Sequence, residues 1–177
     1  MTSSRTVYEN RWMRVREDRL ERPDGSAGLY AVVEKPPAAV VLPVARGEVV
    51  LVEQYRHPPG ARFWELPQGA WDDGQPADPE RLARAELAEE TGFRAGRMHH
   101  LGRLFFAYGM SDQYFDAWLA LELAPGAQAL EPEEQGLRVG RFSVAAVDEM
   151  VERGAMSDAA SVAVWGLARQ RPELLGR

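Results

Sequence analysis

Three carboxylates stand close together in the run Ala85-Glu86-Leu87-Ala88-Glu89-Glu90-Thr91-Gly92-Phe93. On a helix, positions three and four apart share a face, so Glu86, Glu89 and Glu90 project together. No lysine or arginine is interleaved among them, and their charges repel. Beside a sheet, such a group makes a site for a hard cation with oxygen ligands. Magnesium suits it, because it binds few carboxylates, keeps waters and takes phosphate oxygens into its remaining positions. The alternative is a glutamate-rich face that is merely solvated. Against that, Arg81, Arg84 and Ala88 mark a different side of the helix as the one facing solvent, which turns the glutamates towards Leu82.

The helix that must carry these groups has clear end signals. Asp78 can cap it, Pro79 suits its first position, Gly92 can close it, and Glu80–Thr91 contains neither glycine nor proline. Upstream, residues 11–34 hold two extended runs around a turn at Pro23-Asp24-Gly25, a hairpin pattern. Ala39–Val44 and Val49–Tyr55 are apolar and β-branched and are split by Arg46-Gly47, a second strand pair. Phe63–Leu66 is a short strand, and Gly69 to Pro79 is loop. Further strands are expected at Leu101–Ala107 and Tyr114–Leu123, around a turn at Tyr108–Asp112. Another follows at Leu137–Ser143, after a polar loop containing Pro125, Gly126 and Pro132. Helices over about Val144–Arg153 and Asp158–Arg169 close the chain. Strands and helices without strict alternation predict an α+β sandwich, with helices flanking a mixed sheet.

Composition narrows the chemistry. A chain of 177 residues fits one domain with a short accessory segment. Its net charge of −6 disfavours a nucleic-acid surface, so an anionic substrate needs a local pocket of metal or arginine. There is no cysteine, which removes disulfides and thiolate metal sites and accords with a cytoplasmic location. Met1–Asn10 lacks an apolar signal core, and no run reaches membrane-spanning length, so no membrane partner is expected. Lys35 is the only lysine; every other basic residue except the three histidines is arginine.

Gly69 through Phe93 resembles the signature of the Nudix hydrolases, and Glu86-Leu87-Ala88-Glu89-Glu90-Thr91-Gly92-Phe93 reproduces its second half. Three departures stand out. Ala85 occupies the place of an arginine, Gln75 that of the first glutamate, and the spacing from Gly69 to Glu86 is two residues longer, an insertion around Gln75–Asp78. Arg84 and Arg81 are the arginines placed to substitute for the missing one. Gln54-Tyr55-Arg56-His57-Pro58 and Trp64-Glu65-Leu66-Pro67-Gln68-Gly69 resemble the approach to the box in ADP-ribose pyrophosphatases. Gly109-Met110-Ser111-Asp112 is similar to the substrate loop of that subfamily, with Tyr108 where proline is common. Val151 to Asp158 resembles its closing helix, turn and helix.

The resemblance implies an α/β/α sandwich with a mixed central sheet. Residues 1–37 would be an N-terminal β segment that dimerises, and residues 38–177 the hydrolase domain. It implies that Glu86, Glu89 and Glu90 coordinate magnesium, or manganese, together with the backbone carbonyl of Gln68. The implied reaction is hydrolysis of a nucleoside diphosphate derivative, ADP-ribose first, giving AMP and ribose 5-phosphate. Another sugar nucleotide (GDP-mannose or UDP-glucose) and a non-catalytic nucleotide sensor are the alternatives. The resemblance also implies a general base from the loop holding Glu131, Glu133 and Glu134, with Glu134 ahead of Glu133; Glu89 is the alternative within the box. That loop also reads as plain acidic surface. Arg56 is assigned to a substrate phosphate, and Glu65 is a further substrate-binding candidate. Trp12 and Tyr108 are candidates to stack on the base, though lone aromatics also serve as core or interface. Trp71 either shapes the pocket or packs. His57, His99 and His100 lack ligand spacing. In the implied homodimer, Trp12 or Arg14 reaches the partner's site.

Overall fold

The computed structural model describes residues 1–70 and 78–175. The first half contains β1 (Ser3–Glu9), β2 (Arg14–Glu21), β3 (Ala27–Glu34), β4 (Ala38–Ala45), β5 (Glu48–Arg56), β6 (Ala61–Glu65) and β7 (Gln68–Gly69). Then follow α1 (Pro79–Thr91), β8 (Phe93–Phe105), β9 (Tyr114–Pro125), β10 (Arg138–Ser143), α2 (Val144–Glu152) and α3 (Ala159–Arg169).

The central strand β4 explains the layering. Its residues 38–44 are all buried, as expected of a strand covered on both faces. Side chains alternate across a strand. Ala38, Val40, Leu42 and Val44 therefore enter one apolar cluster, while Ala39 and Val41 enter another. The first cluster lies beneath α2 and α3, with Val147, Ala160, Val164 and Trp165. The second lies beneath α1, with Leu82, Ala83 and Leu87. The result is an α/β/α sandwich. Its sheet is mixed: β4 runs parallel to β9, while β4–β5, β4–β7, β5–β6, β5–β10 and β8–β9 are antiparallel, in the order β10-β5-β4-β9-β8. Arg46 and Gly47 turn β4 into β5 with φ of 54° and 77°, a conformation that glycine adopts without cost.

Helix α1 starts and stops where its end signals place it. The Asp78 side chain accepts the Glu80 amide at 3.0 Å. Gly92, at φ 71°, donates its amide to the Ala88 carbonyl. Three strands depart from the sequence expectation, the shortest being β7, where Gln68 and Gly69 pair with Val40 and Ala39 although the sequence pattern places Gly69 in loop. β1 has no apolar periodicity, being exposed throughout; it pairs with β2 and turns the expected hairpin into a three-stranded sheet, β1-β2-β3. β8 begins at Phe93 rather than Leu101, because pairing with β9 from Phe93↔Pro125 onward overrides the weak strand character of Arg94–His100.

The N-terminal sheet docks on the turn between β8 and β9. Val33 donates its amide to the Met110 carbonyl at 2.8 Å, and the Ser111 hydroxyl donates to the Val33 carbonyl at 2.8 Å. The Tyr30 hydroxyl donates to the Gly109 carbonyl. Among the described residues, no helix is long and apolar enough to cross a membrane.

Candidate active site

The buried stripe of α1 is Leu82, Ala83, Glu86, Leu87, Glu90 and Thr91. Its apolar members grip the sheet, and its two glutamates face β7. Gly69 in β7 lies so close that a Cβ there would stand 2.4 Å from Glu86 Oε2. The Gln68 amide donates to Glu90 Oε2 at 3.2 Å. The third carboxylate comes from a distant loop, where Pro132–Glu134 forms a 3-10 turn. There the Glu134 side chain accepts the Glu131 amide at 2.8 Å. Glu86, Glu90 and Glu134 each bring an oxygen into one group whose members lie within 4.8 Å of one another.

This grouping differs from the trio read off the helix. Glu86 and Glu90 are in it, exposed by only 7% and 1%. Glu134 takes the third place, and Glu89 stands half-buried beside Glu134. Burial, and then the Glu134 charge, raise the Glu89 carboxyl above the usual range. Glu90 is pushed up much further, by burial first and then by Glu86, Glu134 and Glu65. The Gln68 amide opposes that shift.

Buried carboxylates cost several kcal/mol each, on the order of magnitude expected for ions taken out of water, unless a countercharge meets them. The donor set here is all oxygen and suits a hard divalent cation. Gln68 adds a buried side-chain oxygen, Oε1, that has no hydrogen-bond partner. Glu86, Glu90 and Glu134 are thus the described carboxylates that could hold a metal.

The acidic group borders a two-lobed cleft. Lobes of about 610 and 370 Å³ share Lys35, Arg56, Pro58, Gln68, Gly69 and Ala70 as walls. The smaller lobe is also bordered by Trp12, Glu90, Glu131 and Glu134, the larger by Phe63, Phe106, Gln113, Ser157 and Asp158. Arg56 is held on this wall by Glu65, with NH2 to Oε1 at 2.5 Å and Nε to Oε2 at 3.2 Å. The Gln54 amide donates to Glu65 Oε1 at 2.6 Å. Glu65 is 2% exposed; burial raises its carboxyl, and Arg56 works against that rise.

Trp12, half-exposed, has the Arg11 guanidinium 4.4 Å from its ring centroid. Tyr108 is 84% exposed and is not among the described residues lining the cleft. Arg14 pairs with Glu34 of its own chain. Arg84 does not take over from the missing signature arginine. It donates to Glu80 at 2.9 Å and to the Ala95 carbonyl at 2.6 Å. His100 contacts Asp116 at 2.8 Å and meets the Trp118 ring at a tilt of 54°, centroids 4.8 Å apart. Trp71 and most of the inserted segment, including Gln75, lie outside the described residues, as does the side chain of Glu133. The sequence reading missed Lys35, which walls both lobes. Its rarity was visible, but no local motif assigned it a place.

Comparison with known proteins agrees with this architecture. Residues 34–163 match the NUDIX domain, and residues 1–33 match the nucleoside diphosphate sugar hydrolase N-terminal domain. The chain is 33% identical over 181 residues to an ADP-ribose pyrophosphatase of Mycobacterium tuberculosis, covering 96% of this chain and 86% of that one. An ADP-ribose pyrophosphatase of Bacillus subtilis is 32% identical over 116 residues, covering 65% of this chain and 62% of its own. A crystal structure of an ADP compounds hydrolase superposes with a TM-score of 0.86 over 99% of this chain and 95% of that chain. At 23% identity, that likeness speaks to the fold. The chain belongs to the Nudix family, as a pyrophosphohydrolase.

Proposed function

We propose that this chain hydrolyses the diphosphate bridge of ADP-ribose to AMP and ribose 5-phosphate, with magnesium, or manganese in its place. The observation that carries the proposal is one cleft lined by Glu90, Glu134, Arg56 and Lys35, with Glu86 grouped against Glu90 and Glu134. The two pyrophosphatase relatives named above favour ADP-ribose within that chemistry. Glu86 and Glu90, with the backbone carbonyl of Gln68, would hold a divalent cation, which would neutralise charge on the non-bridging oxygens.

The remaining work falls to the chain itself. Arg56 offers a guanidinium fork to the diphosphate, and Glu65 holds that fork in position. Glu134 takes the proton from the attacking water, with Glu89 or Glu133 as the alternative base. The water oxygen bonds to one phosphorus as the bridging P–O bond breaks, and the bridging oxygen leaves on the other phosphate. Trp12 stacks on the base from the rim of the smaller lobe.

Residues 1–37 serve in this proposal as a dimerisation element for the 38–177 hydrolase domain. Exposed Val7, Tyr8, Leu29 and Tyr30 on the N-terminal sheet support a homodimer. Light scattering that returns a clean monomer would remove that part.

The deciding experiment is a panel of ADP-ribose, GDP-mannose, UDP-glucose, NADH and diadenosine polyphosphates with magnesium, with the products separated. Preferred cleavage of ADP-ribose to AMP, abolished by chelator and restored by magnesium, is the expected result. Preference for another sugar nucleotide would overturn the substrate and keep the chemistry. Binding without cleavage of any would make the chain a nucleotide sensor.

A further inference from the structure

Arg62 on β6 touches neither the cleft nor the acidic group, yet it grips the loop that delivers Glu134. Its Nε donates to Glu53 Oε2 at 3.0 Å, and its NH2 donates to the Glu53 carbonyl at 2.9 Å. The same NH2 donates to the Gly136 carbonyl at 2.7 Å. Gly136 has φ 83° and turns the loop into β10. One residue on, Leu137 is buried and donates its amide to the Glu134 carbonyl at 2.9 Å. Glu134 and Gly136 therefore belong to one tight turn.

The start of the same loop is tied to α1. Gln128 donates its side-chain amide to the Glu90 carbonyl at 2.6 Å, and Ala129 donates its amide to the Glu89 carbonyl at 3.0 Å. The loop thus spans two anchors, α1 at its start and Arg62 at its end, with Glu134 close to the second. Glycine at 136 offers little conformational resistance of its own, so the Arg62 bond to its carbonyl joins the burial of Leu137 in setting where the turn sits. Arginine suits that task, because its planar fork satisfies two carbonyls and a carboxylate at once.

We infer that Arg62 is a positioning residue, fixing where the Glu134 carboxylate enters the acidic group. The inference rests on the role proposed above for Glu134. Arg138 provides the control: it approaches the same Glu53 carboxylate at 3.4 Å, from β10.

The test measures kcat, KM and Tm, with magnesium, on the diphosphate substrate that the panel selects. The proteins are wild type, Arg62→Ala, Arg138→Ala, Glu134→Gln and the double variant Arg62→Ala/Glu134→Gln. Arg62→Ala is expected to lower kcat about ten- to a hundredfold, as small misplacements of catalytic groups do, with KM little changed. Arg138→Ala should leave kcat as it is. In the double variant, the Arg62 change should add nothing to the loss from Glu134→Gln. Should Arg62→Ala fail to fold, Arg62→Gln carries the same expectation, since a carboxamide cannot bridge all three acceptors. An Arg62 variant with wild-type kcat, or losses that multiply in full, would overturn the inference. Wild-type turnover in Glu134→Gln would remove the assigned base, and the inference with it. An impaired Glu134→Gln beside an unimpaired Arg62→Ala would remove the inference alone.

Discussion

Gly69 and Glu86 are fitted to each other so closely that a Cβ at position 69 would meet the Glu86 carboxylate at 2.4 and 2.6 Å. Gly69 is not in the left-handed region, so alanine there faces no backbone penalty. The obstacle is the far end of a flexible side chain, which can swing aside. Gly69→Ala should therefore fold with nearly the wild-type Tm and lose activity about ten- to a hundredfold, as the carboxylate moves off its position. Titrating activity against magnesium would show the midpoint moving to higher concentration. An unchanged midpoint would mean that the contact does not matter for the cation.

Arg56 and Glu65 make a second pair with a separable outcome. Glu65 is buried while the Arg56 side chain is 40% exposed, so solvent screens one end of the bridge. Arg56→Ala leaves a buried carboxyl that burial already favours in its protonated form. The expected stability loss is about 1–2 kcal/mol at neutral pH, below the figure for a fully buried pair. KM should rise and kcat should fall if the guanidinium meets the diphosphate in the transition state. Arg56→Lys should restore stability better than activity, since an ammonium cannot offer a fork. Equal recovery of both would reduce Arg56 to a structural role.

Legibility in the sequence followed the range of the interactions. Helix α1 was readable to the residue because Asp78, Pro79 and Gly92 act locally on the backbone. β4 and β5 were readable because a covered strand must be apolar. β1 was not, since Ser3–Glu9 is exposed and owes its form to pairing with β2. In the site, Glu86 and Glu90 followed from helical spacing alone. The approach of Glu134 depends on how a loop some 40 residues further on returns to α1, as the general run of long-range contacts does. Resemblance to a family pointed to that loop, and the local pattern did not. The place of Lys35 in the cleft wall has the same origin: it follows β3 and joins Arg56 in lining the cleft only once the chain has folded.

Trp12 and Tyr108 make opposite predictions within one protomer. Trp12 borders the smaller lobe, whereas Tyr108 stands in solvent on the turn held by β3. Trp12→Ala should raise KM for the nucleotide about ten- to a hundredfold, the range expected for loss of base–aromatic stacking. Tyr108→Ala should leave KM within about twofold, as surface changes usually do. A large KM effect at Tyr108 would show that it acts across a dimer, and would be expected to fade as dilution separates the subunits.

Glu90 ties stability to pH with a definite sign. Its folded carboxyl is raised well above the ordinary value by burial and by Glu86, Glu134 and Glu65. Below the unfolded pKa of roughly 4.3, both states hold the proton and Glu90 contributes no pH dependence. As pH rises past that value the unfolded chain loses its proton first, so the cation-free protein becomes less stable until the raised folded pKa is passed. A divalent cation at the site replaces the proton, and its affinity grows with pH because the ligands must be ionised. In chelator, Tm should therefore fall as pH rises from the unfolded pKa towards the raised folded one, more steeply for wild type than for Glu90→Gln. The rise in Tm on adding magnesium should be larger at the alkaline end of that window, and largely absent in Glu90→Gln. Identical pH dependence of wild type and variant in chelator would show that Glu90 is ionised without cost in the folded chain, and the case for a cation held by Glu86 and Glu90 would lose its electrostatic basis.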